Sequence, residues 1–411
     1  MTIARFPFIP IILAALLMGS SLVSAQDFDK GMHALDRGDY VEALRELQPL
    51  AEQGDARAQN SLGLMYDEGL GVPQDYAEAA RWYRLSANQG NAVAQSNLAT
   101  LLYEGTGVPQ DRANSAYWLH KAAEQGDSTA QNNLGTLYLK GEGVAQDDAE
   151  AVRWYRLAAE QDNAVAQANL GSMYADGRGV RRDYLALVLW WRVPRTDVEA
   201  VRWFRKSAAQ EYAPAQFNLG LMYARGTGVP QDDAEAVAWH RRAAAQGNAA
   251  AQYMLGLSYG AGRGVQKDEL EAERWFHKWA EQGDASDKME LGRFYAFGLH
   301  VRKDQAEAAR WFRDGANQGS ASDKKDLGRR YAMGVTLPKN EAEAERWFRK
   351  AAEQGDAEYK RTLGYYYASG LYVPKDEAEA EYWFRRAEEH GGSQNPPPRT
   401  PRESNRRAPS R

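Results

Sequence analysis

The residues in this 411-residue chain best suited to metal ligation or proton transfer are six histidines, His33, His120, His240, His277, His300 and His390. A zinc hydrolase would carry His-Glu-x-x-His on a helix, and a serine hydrolase a Gly-x-Ser-x-Gly elbow. Neither run occurs, and each histidine is expected on a solvated or half-buried helix face. Asp75 and Glu78 could serve as an acid–base pair, but three residues apart, ahead of an apolar helical run, they have the spacing of a capping box. Loops such as GLGVPQD could cradle a phosphate, yet they follow a helix rather than a strand and recur along the chain, as turns do. The absence of cysteine excludes disulfides, thiolate metal sites and a cysteine nucleophile. The sequence therefore assigns no catalytic, metal or cofactor-binding residue and reads as a non-enzyme.

The elements that would hold any site announce themselves by a period. Trp82, Trp118, Trp154 and Trp190 are 36 apart, as are Trp203, Trp239, Trp275, Trp311, Trp347 and Trp383. Leucine follows the same ruler from Leu62 to Leu170 and from Leu219 to Leu363. In the unit Asp55 to Gly90, Ala58, Leu62 and Tyr66 fall on one helical face, and Ala79, Trp82, Tyr83 and Ser86 on a second. Each unit is thus a helical hairpin. Asp75, Asp111, Asp147, Asp183, Thr196, Asp232, Asp268, Asp304, Asn340 and Asp376 are expected to cap the second helices, at about 1 kcal/mol each. Gly54, Gly90, Gly126, Gly247, Gly283, Gly319 and Gly355 are expected to end them in the left-handed region. Asp162 and Glu211 replace this glycine in two units, and a change of hairpin geometry is expected there. One hairpin cannot bury its indole alone, so the units must stack in line, each touching its neighbours.

The run Ala-Gln-x-x-Leu-Gly-x-x-Tyr, then Gly-x-Gly-Val-Pro-x-Asp, Glu-Ala-x-x-Trp-Tyr and Ala-Ala-x-Gln-Gly resembles the Sel-1-like repeat family, relatives of the tetratricopeptide repeats. The resemblance implies an all-α superhelix, a solenoid of about ten hairpins that serves as an adaptor for a protein or peptide partner. By that likeness the first helices line a concave groove, with exposed positions two residues before and two after the ruler leucine. The groove residues are then Asn60, Asn132, Phe217, Leu221, Tyr253, Leu257, Met289, Arg293, Lys325, Arg329, Arg361 and Tyr365. They run from polar through apolar to basic, which fits an extended or helical peptide with apolar anchors and an acidic end. The last three units also differ in chemistry: the Ala-Gln pair of earlier units becomes Asp287-Lys288, Asp323-Lys324 and Tyr359-Lys360, and a loop glycine becomes His300, Thr336 and Tyr372. Some relatives are linked to peptidoglycan or β-lactam recognition, so the resemblance also admits a cell-envelope enzyme or a peptidoglycan- or glycan-binding protein; those relatives are cysteine-stapled, unlike this chain.

The stretch DYLALVLWWRVP, Asp183 to Pro194, interrupts the period. VRRDYLALVLWWR (180–192) aligns with VPRTDVEAVRWFR (193–205), so the segment is a 13-residue partial duplication rather than a membrane span, which needs roughly 20 apolar residues. A kink between two sub-arrays is expected there. Residues 1–25 have the charged start, apolar run and small-residue end of a secretory signal cleaved after Ala25, which places the chain in the periplasm or outside the cell and leaves no integral membrane segment. Residues 26–54 resemble a tetratricopeptide-type capping hairpin; 55–179 and 193–390 are the two repeat sub-arrays. Residues 391–411, rich in Pro, Gly and Ser with five arginines, form a basic tail expected to be disordered. A net charge of −5 gives no footprint for nucleic acid.

Overall fold

The computed structural model describes residues 27–180 and 195–390, and among these the regular structure is helical throughout. The chain divides into two compact units, Met1–Ala215 with Thr227–Val229, and Gln216–Gly226 with Pro230–Arg411. In the first, α1 (27–36) and α2 (Tyr40–Glu52) form the opening hairpin, followed by α3 (Ala56–Glu68) with α4 (Tyr76–Asn88), α5 (Ala92–Glu104) with α6 (Arg112–Glu124), α7 (Ser128–Lys140) with α8 (Asp148–Glu160), and α9 (Ala164–Asp176) with α10 (Arg195–Ala209). The second begins within α11 (Ala213–Arg225), followed by α12 (Asp233–Ala245). It continues with α13 (Ala249–Ala261) and α14 (Glu269–Gln282), α15 (Ala285–Phe297) and α16 (Gln305–Gln318), α17 (Ala321–Met333) and α18 (Glu341–Gln354), and α19 (Ala357–Ser369) and α20 (Glu377–His390).

Within each unit the hairpins pack in series because of the period. Trp82 is buried with Leu47, Leu50 and Ala51 of the preceding hairpin; Trp154 and Trp203 do the same two and three hairpins later. The two helices of a hairpin meet through a glycine–ring contact. The Tyr83 ring lies where a Cβ on Gly63 would stand, and the contact repeats at Gly135 with Tyr155, Gly171 with Phe204 and Gly256 with Phe276. Phe204 belongs to the second copy of the duplicated segment, so that copy supplies the second helix of its hairpin. The first copy from residue 181 on, together with Asp183 and the expected kink, lies outside the described residues, as do the signal and the tail.

Four local expectations are corrected. Asp75 Oδ1 accepts from the amides of Ala77 and Glu78, at 2.9 and 3.1 Å, but Glu78 turns outward to Arg81, so no reciprocal box forms. Such a box closes at Ser320 and Asp323 instead. Thr196 lies inside α10 rather than at its cap, because this helix starts earlier than its counterparts. Asp162 and Glu211 keep the glycine's geometry, both at φ 60°, rather than altering the hairpin; each accepts about 1 kcal/mol of backbone strain to do so. Gly283, Gly319 and Gly355 are extended, near φ −80°, −83° and −84°, not left-handed.

The reason for the last correction is chemical. In earlier hairpins a buried glutamine joins successive helix ends: Gln95 Nε2 donates to Ala87 O at 3.1 Å, while its Oε1 accepts from Gln125 at 2.8 Å. In the last three units a lysine takes that position, and the Nζ of Lys288, Lys324 and Lys360 donates to the carbonyls of Gly283, Gly319 and Gly355 at 2.6, 2.8 and 2.7 Å. An ammonium at a helix C-terminus satisfies the open carbonyl and complements its partial negative charge. The helix then runs on to a glutamine before the chain turns.

Candidate partner-binding face

Neighbouring first helices lie side by side. Asn97 Nδ2 donates to Asn60 Oδ1 at 3.3 Å, and Asn169 Nδ2 to Asn132 Oδ1 at 2.9 Å. In the first unit, then, Asn60 and Asn132, expected to face a ligand, each accept from an asparagine of the next first helix, and Asn132 is buried. Their amides already have partners, so this stretch is joint rather than open groove.

The second unit is different. Phe217, Leu221, Tyr253 and Leu257 are half-buried, Arg293 and Tyr365 are exposed, and Lys325, Arg329 and Arg361 are half-buried, on successive first helices. Met289 is the exception: it is 8% exposed and part of the core, because the neighbouring second helix carries Gly315 against it. Lys325 Nζ sits 4.8 Å from the centre of the Tyr359 ring, and the Tyr365 ring meets Phe384 edge-on at 5.1 Å.

Arg330, next to Arg329, is not among the expected groove residues, although the ruler marks it. Three residues after the leucine stand Met65, Leu101, Leu137, Met173, Met222, Phe294 and Tyr366, all buried; Arg330 occupies that core position. Its guanidinium lies 4.5 Å from the centre of the Phe312 ring, and its Nε and that of Arg329 are buried without a hydrogen-bond partner. Arg329 Nη2 reaches Tyr366 Oη at 3.4 Å, whereas neither arginine forms an ion pair among the described residues. Burial, and then repulsion from Arg293, hold the Arg330 guanidinium below its ordinary pKa. Arg293 itself pairs with Glu290 at 2.9 Å.

The histidines do not converge, and among the described residues no group of three or more His, Asp or Glu side chains gathers as a metal site. His240 departs from the expected solvated or half-buried face, being 1% exposed. It replaces the ring that elsewhere lies on the hairpin glycine, here Gly220. Neither ring nitrogen has a hydrogen-bond partner, and burial pushes the imidazole down to about 4, tempered by the Phe217 backbone. Beside it a cavity of about 280 Å³ opens where Ser258 stands at the core position that a larger side chain fills in every other repeat with a ruler leucine; His300, at φ 66°, also lines it. No described helix is long and apolar enough to cross a membrane.

The Sel1 repeat model matches residues 56–91, 92–127, 128–163, 164–186, 191–212, 213–248, 249–284, 288–320, 326–356 and 362–392. The chain is similar to the crystal structure of c5321, a protective antigen of uropathogenic Escherichia coli displaying an SLR fold, at 34% identity over 91% of this chain and 86% of that one, with a TM-score of 0.50. It is also similar to a Sel1 repeat protein from Oxalobacter formigenes at 33% identity, covering 78% of this chain and 90% of the other, with a TM-score of 0.56. No curated protein matches it.

Proposed function

Because the chain belongs to the Sel1 repeat family, whose hairpin arrays generally serve protein–protein interaction, we propose that it is an exported, non-enzymatic scaffold that holds a polypeptide along the first-helix face of its second unit. The bound segment presents apolar side chains to Phe217, Leu221, Tyr253 and Leu257 and an acidic end to Arg293, Lys325, Arg329 and Arg361. The observation that carries this reading is the pair Arg329 and Arg330: two partly buried guanidiniums with unpartnered Nε atoms and no ion pair among the described residues, Asp326 acting on both only from a distance. A bound carboxylate would supply the partner that buried charge requires. Tyr365 closes the far end of this surface.

The test is a set of synthetic peptides with two or three apolar anchors and an Asp- or Glu-rich end, titrated against the full chain. Arg329→Glu with Arg361→Glu is expected to weaken the acidic-ended peptides by about tenfold or more and to leave their neutral counterparts unchanged. Equal binding of acidic and neutral peptides, or binding indifferent to the charge reversal, overturns the assignment. Export is tested by sequencing the N-terminus of protein recovered from the producing cells: a start at Gln26 supports it, and a start at Met1 overturns it.

A further inference from the structure

Four residues after the ruler tryptophan the other units carry a small residue: Ser86, Ala122, Ala158, Ser207, Ala243, Gly315, Ala351 and Ala387. That position faces the first turn of the hairpin's own first helix, as shown by Ser86 Oγ donating to Ala56 O at 2.6 Å and Ser207 Oγ to Ala164 O at 2.6 Å. One unit places Trp279 there. Its indole cannot lie flat against the backbone as a serine or alanine does, and instead it meets Tyr253, ring centres 4.7 Å apart at 54°. The two rings form the floor of a hollow of about 400 Å³, walled by Ala250 and by Ser286, Asp287 and Glu290 of α15.

The walls are acidic. Asp287 forms no ion pair among the described residues: its carboxylate lies back over Gly283 at the start of α15, near the Asp284 backbone, and the adjacent Lys288 ammonium is turned to the Gly283 carbonyl. Burial, and then the charge of Asp284, push the Asp287 carboxyl up. The Tyr253 phenol is likewise pushed up, by burial first and then by Glu290 and Asp287. A negative ring face, a tyrosine in a negative field and a carboxylate outside any ion pair share one preference, which is for a cation on an apolar stem.

We propose that this hollow is a binding niche for an alkylammonium or guanidinium group, the lysine or arginine side chain of the polypeptide on the first-helix face. The identity of the cation's carrier rests on the function proposed above; the niche itself rests on Tyr253, Trp279, Asp287 and Glu290. The stem would lie against the two rings, with the charge directed to Asp287 and to the free oxygen of Glu290, whose other oxygen holds Arg293.

The probes are n-butylammonium and n-butylguanidinium, with n-pentanol as the neutral control, added to the full chain while the indole N–H resonances are followed by NMR. Trp279→Ala both assigns the resonance and restores the residue found at Ala243 and Ala351, so this variant is expected to fold. The Trp279 signal is expected to move saturably with both cations, and the affinity to fall by about five-fold or more in Asp287→Asn with Glu290→Gln. An equal response to pentanol, no saturable response to either cation, or cation binding unchanged by the paired neutral substitutions would overturn the niche. Failure of the peptides on the first-helix face, with butylammonium still saturating Trp279, would sink the scaffold reading and leave the niche standing; the reverse pattern would sink the niche alone.

Discussion

The Tyr83 ring rests on the backbone of Gly63, its Cδ1 2.6 Å from where a Cβ would be. The phenol then reaches Asp67 Oδ2 at 3.0 Å, so one side chain sets both the distance and the register of α3 against α4. The hairpin of α5 and α6 shows the alternative solution: Ala99 stands at the glycine's place and Leu119 at the ring's, both buried. Contact of backbone with ring, or of methyl with isobutyl, fills the same gap.

Gly63→Ala is therefore expected to destabilise the protein by about 1–3 kcal/mol, since the new methyl must displace a close-packed ring. Combined with Tyr83→Leu it should cost less than the sum of the two single changes, a coupling of at least about 0.5 kcal/mol in urea melts. Simple additivity would show that the two residues do not share the gap.

His240 makes stability depend on pH. Its native value of about 4 lies below the ordinary 6.5, so the folded protein keeps it neutral while the unfolded chain takes up a proton. Its contribution is whole above about pH 6.5 and is lost as pH falls towards 4, by about 3 kcal/mol across that window. His240→Phe, which installs the residue found at Phe276 and Phe312, should remove this dependence. Urea midpoints of parent and variant should diverge between pH 7 and pH 4.5, with the variant the more stable at the lower pH. Parallel curves would mean that the imidazole is not held neutral.

The cavity beside His240 exists because Ser258 is too small for a core position that Met173 and Met222 fill. Ser258→Met is expected to raise stability by about 0.5–2 kcal/mol, read as a higher melting temperature. A lower one would show that the surrounding side chains cannot make room for the longer residue.

Deleting Val180 to Arg192 should leave the protein folded and raise its stability by about 1 kcal/mol, because the connection from α9 to α10 becomes shorter and costs less entropy to close. The helix that packs on α9 comes from the second copy, through Phe204 against Gly171, and is untouched by the deletion. A thermal melt well below that of the parent would show that the first copy carries packing of its own.

The sequence by itself determined the repeat, because an indole at a constant interval admits one economical burial, against the neighbouring copy, and because helix caps are local chemistry legible in a few residues. Trp82, Trp154 and Trp203 lie where that argument puts them. It did not determine which side chains on the first helices remain free. Whether Asn132 faces a ligand or a neighbouring asparagine, or Met289 faces solvent or Gly315, depends on how closely two helices approach, and that distance is a sum over many contacts. The exceptions at Trp279, Arg330 and His240 were visible as breaks in the period, but their meaning required knowing what stands opposite: two carboxylates, another arginine and a bare glycine backbone. Tertiary structure decided these, because the free energy of a buried charge or ring is set by its surroundings rather than by its place in the chain.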